Sequence, residues 1–429
     1  MSFGLNTRDK VGIEPIPNTS AYVHIPFCRR RCFYCDFPVY VVGDRKDGNN
    51  SLAIGHYVDV ITDEISITES FCQPLKTVFF GGGTPSLLSV GQLKRIVEAL
   101  ERKFGIAADA EISIEMDPGT FDGEKLRGYQ AAGVNRVSLG VQAFEDELLA
   151  LCGRSHQVSD IYEAINLLHK AEIVNISIDL ISGLPQQTME RWEVSLEAAI
   201  ALSPTHISCY DLIVEPKTAF ARYYERGERP LPTEEMAAQM YRRARELLVG
   251  AGYEHYEISN YAKAGYQCRH NRVYWQNRQY YGFGMGAASY VGGHRFTRPR
   301  KTGEYYEWVR SLQVSLKETN SDLKAENYLQ SDRDRLLETL MLGLRLAEGL
   351  SLDVLARQFG PETVEQIWSC LQPYQESGWV EVIAGNGEIL PLREGKYLPE
   401  IGSLRLSDPE GFLFSNTVLA SLFSEMQEF

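Results

Sequence analysis

The stretch Ala21-Tyr22-Val23-His24-Ile25-Pro26-Phe27-Cys28-Arg29-Arg30-Arg31-Cys32-Phe33-Tyr34-Cys35 decides how the 429-residue chain is read. Its opening residues are largely β-branched or aromatic, the pattern of a buried strand. The spacing Cys28-x3-Cys32-x2-Cys35 follows at once, so three thiolates can curl from one loop around a metal centre at the end of that strand. Three thiolates bind three irons of a [4Fe–4S] cluster and leave the fourth iron open. A structural zinc site wants four ligands in a closed tetrahedron, and no fourth Cys or His stands at a suitable local spacing, which favours the cluster. His24, four residues before Cys28, reads as an orienting or packing residue.

Outward from this loop, runs rich in β-branched and aromatic residues recur at Thr77 to Phe80, Glu111 to Glu115, Arg136 to Val141, Asn175 to Ile181 and Thr205 to Val214. Between them, Val90 to Phe104, Glu124 to Ala132, Val158 to Ala171 and Met189 to Leu202 carry apolar residues at helical spacing. The alternation predicts βα units with parallel strands. Six units fall short of a closed eight-fold barrel, so an incomplete barrel or an open doubly wound sheet is expected, with its chemistry at the C-terminal strand ends. A long helix over Thr233 to Gly252 and a strand over Tyr253 to Ser259 follow. Gln279 to Gly293, rich in glycine and aromatics, reads as a lid or as a core-packed connection. Beyond about Lys324, helices over Asp332 to Leu346 and Glu362 to Gln375 precede a hairpin over Trp379 to Ile389, turning at Gly385-Asn386-Gly387, and a terminal helix over Pro409 to Glu425. This is the outline of a small winged-helix-like α+β domain. The expected division is a flexible extension over 1–20, a barrel over 21–260, a connecting segment over 261–324 and a C-terminal domain over 325–429.

Composition narrows the function. Lysine and arginine total 43 against 57 acidic residues, a net charge of −14, which repels nucleic acid and anionic membranes. The longest uncharged run, Thr77 to Leu93, contains Gly81-Gly82-Gly83 and Pro85 and cannot span lipid as a helix. Residues 1–20 lack the apolar stretch of a secretion signal, so a cytoplasmic chain is expected, with its eight cysteines reduced or bound to metal. Cys72, Cys152, Cys209, Cys268 and Cys370, scattered singly, read as small core side chains. The basic stretches Arg29 to Arg31 and Arg295 to Lys301 are either solvated faces or attractors of anionic groups.

The cysteine spacing, with Tyr34 before the last cysteine, resembles radical S-adenosylmethionine (radical SAM) enzymes. Ala21 to Cys28 is similar to the HemN/HemW group in particular. The likeness continues through Phe80 to Pro85, Ile114 to Pro118, Ser138 to Gln142 and Asp179 to Pro185, each closing a predicted strand. The resemblance implies a partial (βα)6 barrel in which S-adenosylmethionine chelates the open iron through its methionine amino and carboxylate groups. An electron from the cluster then breaks the sulfonium C–S bond. Gly82, Gly83 and Thr84 are expected to approach the methionine moiety and Glu115 the ribose, with Tyr22 against the cofactor. By the same resemblance Tyr34, Gln142, Arg154, Asp179 and Ile213 line the cavity, where the oxidases of the group hold a second S-adenosylmethionine.

Two features divide the group. Oxygen-independent coproporphyrinogen III oxidases carry a further cysteine two residues after the third, and here that position is Phe37. The run His270-Asn271-Arg272-Val273-Tyr274-Trp275 resembles the haem motif of the HemW-type chaperones. It implies His270 as an axial ligand, Arg272 pairing with a propionate, and Tyr274 and Trp275 stacking on the porphyrin; Cys268 or another residue is an alternative ligand. The expected function is therefore a haem chaperone that carries a [4Fe–4S] cluster and S-adenosylmethionine and passes haem to an acceptor haemoprotein. An electron donor is implied, with the membrane involved only through an acceptor. The alternative is a coproporphyrinogen oxidase, a catalytic rather than a carrier protein.

Overall fold

The computed structural model describes residues 18–44, 47–71, 73–317, 331–390, 398–399 and 401–426. Most of the expected extension, Cys72 and the start of the expected C-terminal domain lie outside these residues.

Six strands, β1 (Ser20–Ile25), β2 (Leu75–Gly82), β3 (Ile106–Met116), β4 (Arg136–Gln142), β5 (Asn175–Ser182) and β6 (His206–Asp211), run parallel in chain order. Three short strands, β7 (Glu254–Glu257), β8 (Asn260–Ala262) and β9 (Tyr281–Phe283), complete a sheet ordered β9-β1-β2-β3-β4-β5-β6-β8-β7. The period of two sorts each strand. Val78, Ile112, Ile114, Val137, Leu139, Ile178, Leu180 and Ile207 are fully or almost fully buried in the main core. The intervening Phe79, Glu115, Ser138, Asp179 and Ser208 line a chamber inside the curve of the sheet. Helices fall where the apolar spacing puts them. Val90–Phe104 opens on a Ser89/Gln92 capping box and stops at Gly105, whose φ of 74° suits a glycine C-cap.

The glycine- and aromatic-rich run packs into the core: β9 adds in parallel to the free edge of β1, with Phe283 fully buried. The segment from 261 therefore shares the core of the barrel. Cys152, Cys209 and Cys268 are buried, while Cys370 is half-buried against the second core.

That second core belongs to helices Asp332–Gly343, Leu352–Phe359, Pro361–Glu376 and Ser415–Glu425 and to a three-stranded antiparallel sheet. Val380–Ala384 turns at Gly387, but its main partner is Gly402–Leu406 and not the segment just after the turn. Arg242 pairs with Glu410, and His255 with Asp408 at 2.7 Å, fastening this unit to the barrel. Among the described residues, no helix is long and apolar enough to cross a membrane.

Candidate cluster and cofactor site

Cys28, Cys32 and Cys35 sit on a loop that leaves β1 at the C-terminal end of the barrel. Phe27–Cys28 pairs with Tyr40–Val41, which closes the loop, and Phe33 N–H donates to Cys152 O at 3.0 Å, which holds it over the sheet. His24 anchors the far end of the loop. Its Nε2 meets Pro38 O and its Nδ1 meets Tyr22 Oη, both at 3.0 Å, and burial lowers its pKa to about 4. The arginines between the cysteines brace the turn: Arg31 donates to Cys35 O, and Arg30 forks onto Asp44.

All three thiols are half-buried and face one cavity of about 490 Å³. Burial pushes the Cys28 thiol up to about 12, and a bound metal cation would favour its thiolate. Among the described residues, no three His, Cys, Asp or Glu side chains converge as ligands of one ion. Thiols spread around a shared cavity suit a multi-iron cluster in which each thiolate takes its own iron.

The strand ends furnish the rest of the cavity. Gly82, with a φ of +115°, lies against the His24 ring, where a Cβ would come within 2.4 Å. Its freed N–H donates to Glu115 Oε2 at 2.9 Å. Gly83 and Thr84 donate their backbone N–H groups to Ile25 O and Phe27 O, so the glycine turn is also the seat of the cysteine loop. Glu115 is pushed up to about 8 by burial. Asp179 accepts hydroxyls from Ser138, Ser177 and Ser208 at 2.8–3.1 Å and is also raised by burial. Gln142 carries a left-handed φ of 70° at a register shift between β4 and β5, a strained placement that lets it line the cavity. Arg154 reaches Cys32 Sγ at 3.5 Å and pairs with Asp117 at 2.5 Å. Tyr34 packs near Phe220, and Ile213 stands exposed at the rim.

Asp117 was absent from the residues expected here, although it joins Thr84 and Arg154 in one network. Its signal in the sequence is the Asp117-Pro118 step directly after β3. Tyr22 lines an adjoining inner chamber of about 400 Å³, which shares Gly82, Glu115, Ser138, Asp179 and Tyr210 with the outer cavity.

The run from His270 to Trp275 is helical, within Arg269–Trp275. Glu111 on β3 receives the Arg269 and His270 N–H groups at 3.1 and 3.2 Å. His270 is fully buried, its Nδ1 on Thr77 Oγ1 at 2.8 Å and its Nε2 on Tyr274 Oη at 2.9 Å, with its ring stacked on Phe79. Neither nitrogen is open to a metal in this conformation. Arg272 is tied to Glu348 and Gln267, and Trp275 faces the cleft toward the C-terminal unit. Only Asn271 and Tyr274 of the run face the inner chamber. Among the other cations, Arg298 is buried against Glu64 and Arg295 pairs with Glu338, so both are structural.

A partial barrel with a three-cysteine loop over its mouth and a glycine turn beneath it is the architecture of a radical SAM protein, and residues 22–199 match the radical SAM superfamily. Residues 330–386 match the HemN C-terminal domain. The coproporphyrinogen III oxidase HemN from Escherichia coli superimposes with a TM-score of 0.73 at 22% identity, over 95% of this chain and 90% of that one, a likeness of fold. Sequence places the chain more closely. It is 46% identical, over 96% of its length and 97% of the relative's, to the heme chaperone HemW of Synechocystis sp.. It is 36% identical to the heme chaperone HemW of Escherichia coli, over 70% of this chain and 80% of that protein. It is 31% identical to radical S-adenosyl methionine domain-containing protein 1, mitochondrial, of Mus musculus, over 98% of this chain and 92% of that protein. The chain belongs to the HemW family. The superfamily's cofactors, a [4Fe–4S] cluster and S-adenosylmethionine, come with that membership.

Proposed function

We propose that this chain is a cytoplasmic haem chaperone that binds haem and hands it to an acceptor haemoprotein, with an electron donor serving its cluster. The observation that carries the reading is the 46% identity, spanning nearly all of both chains, to a protein named as a heme chaperone. Phe37 supports it by standing, exposed, where the oxidases of the group have a cysteine.

Cys28, Cys32 and Cys35 would hold the cluster and leave one iron for S-adenosylmethionine. Gly82, Gly83, Thr84 and Glu115 would surround the methionine and ribose, with Gln142, Arg154, Asp179 and Ile213 completing the cavity and Tyr34 at the loop. Cluster and S-adenosylmethionine supply one-electron chemistry when bound. Arg154 holds the second cysteine and Asp117 in one hydrogen-bonded array, which fixes the loop over the strand ends. The helix containing His270 to Trp275 would present Asn271 and Tyr274 to the haem-binding region and use His270 to hold itself in place.

Anaerobically reconstituted protein, with iron and sulfide counted, is titrated with haemin and separately supplied with coproporphyrinogen III, S-adenosylmethionine and a strong reductant. Saturable haemin binding without porphyrinogen turnover is expected. Protoporphyrinogen formed over many turnovers would replace the chaperone reading with the oxidase.

A further inference from the structure

The inner chamber ends on a guanidinium whose hydrogen-bonding fork the protein leaves open. Arg136, the first residue of β4, is 1% exposed and lines the chamber at the end of the strand remote from the cysteine loop. Its Nε is buried without a hydrogen-bond partner, and among the described residues its guanidinium donates to no protein acceptor. A guanidinium carries five donors in a planar fork, and burying it without acceptors is strongly unfavourable.

The acids closest to it in the electrostatic sense, Glu111 and Asp179, are engaged elsewhere. Glu111 caps the helix of His270, and Asp179 takes three serine hydroxyls. They balance the charge without taking the fork. A second donor faces the same chamber: the side-chain amide of Asn271 makes no hydrogen bond to protein among the described residues. Arg300, also lining the chamber, donates one Nη to Asp36 O at 3.2 Å.

We infer that Arg136, with Asn271, forms a receptor for a carboxylate in the inner chamber, at the strand end remote from the cysteine loop. A carboxylate matches the guanidinium fork with two parallel hydrogen bonds and accepts an amide N–H as well. The chamber, about 400 Å³ and confluent with the cluster cavity, takes a carboxylate-bearing arm rather than a whole macrocycle. On the chaperone reading, on which this part of the inference rests, the arm is a haem propionate; the same chemistry would also accept a free small carboxylate.

The test uses full-length, cluster-loaded protein and three probes: haemin, haemin dimethyl ester, and sodium propionate. Arg136→Gln should weaken haemin binding by about 10- to 100-fold. It should leave the affinity for the dimethyl ester unchanged, and iron content and thermal unfolding serve as controls of folding. Because the ester also loses contacts made at the surface, the decisive quantity is the difference between the two ligands across the two proteins. Arg136→Lys keeps the charge opposite Glu111 and is expected to fold where the Gln variant does not, with an intermediate loss. If haemin affinity is indifferent to Arg136 but propionate stabilises the wild type and not the variant, the carboxylate is a free one. If neither haemin nor propionate distinguishes a folded Arg136 variant from the wild type, the receptor is overturned while the chaperone reading stands. If the wild type binds no haemin, that reading fails by itself, and the propionate comparison still decides the role of Arg136.

Discussion

The cysteine loop and the helix Arg269–Trp275 carry the two densest motifs of the chain, and the fold treats them in opposite ways. The loop leaves its three thiols half-buried around a cavity, held mainly through backbone bonds and arginine braces, one of which reaches the Cys32 sulfur. In the helix, His270 has both ring nitrogens bonded, its ring stacked, and its backbone N–H capped by Glu111. A motif of ligand-type residues is thus one of two things. It is a set of side chains held ready by others, or a set that does the holding and lets a neighbour, here Asn271, face the ligand.

The sharpest test of the first half is Cys32→Ala. One missing thiolate leaves an iron without its ligand, so the variant should lose the normal four-iron cluster almost completely, as read by iron and sulfide content and visible absorption. Cys152→Ala, buried outside the cavity, should keep it. A Cys32 variant that assembles four irons and binds S-adenosylmethionine normally would break the comparison at its larger end.

The second half predicts that His270→Ala is chiefly a stability variant. Removing one buried and one part-buried hydrogen bond and a stacked ring should destabilise the fold by roughly 2–4 kcal/mol, measured by denaturant unfolding. Restoring a partner for Thr77 and Tyr274 with His270→Gln should recover part of that loss. Full stability in His270→Ala together with abolished haem binding would show that the ring leaves its pocket to serve as a ligand.

The sequence displayed the barrel because its signals are local. Apolar residues at Val137, Leu139 and Val141 alternate with Arg136, Ser138 and Gly140, and the six strands formed close to where these patterns lie. Leu52–Ile67, a helix absent from the expected set, carries an equally local signal in Ile54, Tyr57, Val58, Ile61 and Ile65 after the Ser51 cap. What could not be read was pairing at a distance. Nothing in Tyr281–Phe283 says that it joins β1, and nothing near Gly387 says that Val380–Ala384 prefers Gly402–Leu406. The site divides likewise: the cysteines and glycines announce themselves by spacing, whereas the roles of Arg136 and Asp117 depend on which acids and donors the fold brings to them.

Acid sensitivity sharpens the comparison by counting protons. Burial holds His270 at about 3 in the fold, against an ordinary value of 6.5. Between those values the unfolded chain binds a proton that the fold refuses, so stability present above the unfolded value is lost as the pH falls. His24 and His156, both held at about 4, act in the same direction. Glu115, raised to about 8, acts in the opposite one: the fold retains a proton that the unfolded chain releases above its ordinary 4.5, so this group weakens the fold as the pH rises toward 8. In metal-free protein, His270→Gln should make the acid limb shallower by about one proton, or ~1.4 kcal/mol per pH unit between about pH 6 and 4. An unchanged slope would mean that the His270 ring titrates freely.

The smallest effect belongs to Arg272, at the solvent side of the same helix. Its guanidinium bonds Gln267 at 2.7 Å and pairs with Glu348 of the C-terminal unit, where the two side chains are 24% and 46% exposed. Water competes for both partners, and such pairs contribute little because the gain in attraction is offset by ordering two long side chains. Arg272→Ala should therefore lower stability by less than about 1 kcal/mol, with the difference shrinking further in high salt. Haemin affinity tests the other side of the residue. With its fork already committed to Glu348, Arg272 is not free to grip a propionate, and the variant should bind haemin within about 2-fold of the wild type. A tenfold loss of haemin binding at unchanged stability would mean that Glu348 releases Arg272 when the ligand arrives. The helix would then resemble the cysteine loop at its outer face and differ from it only at His270.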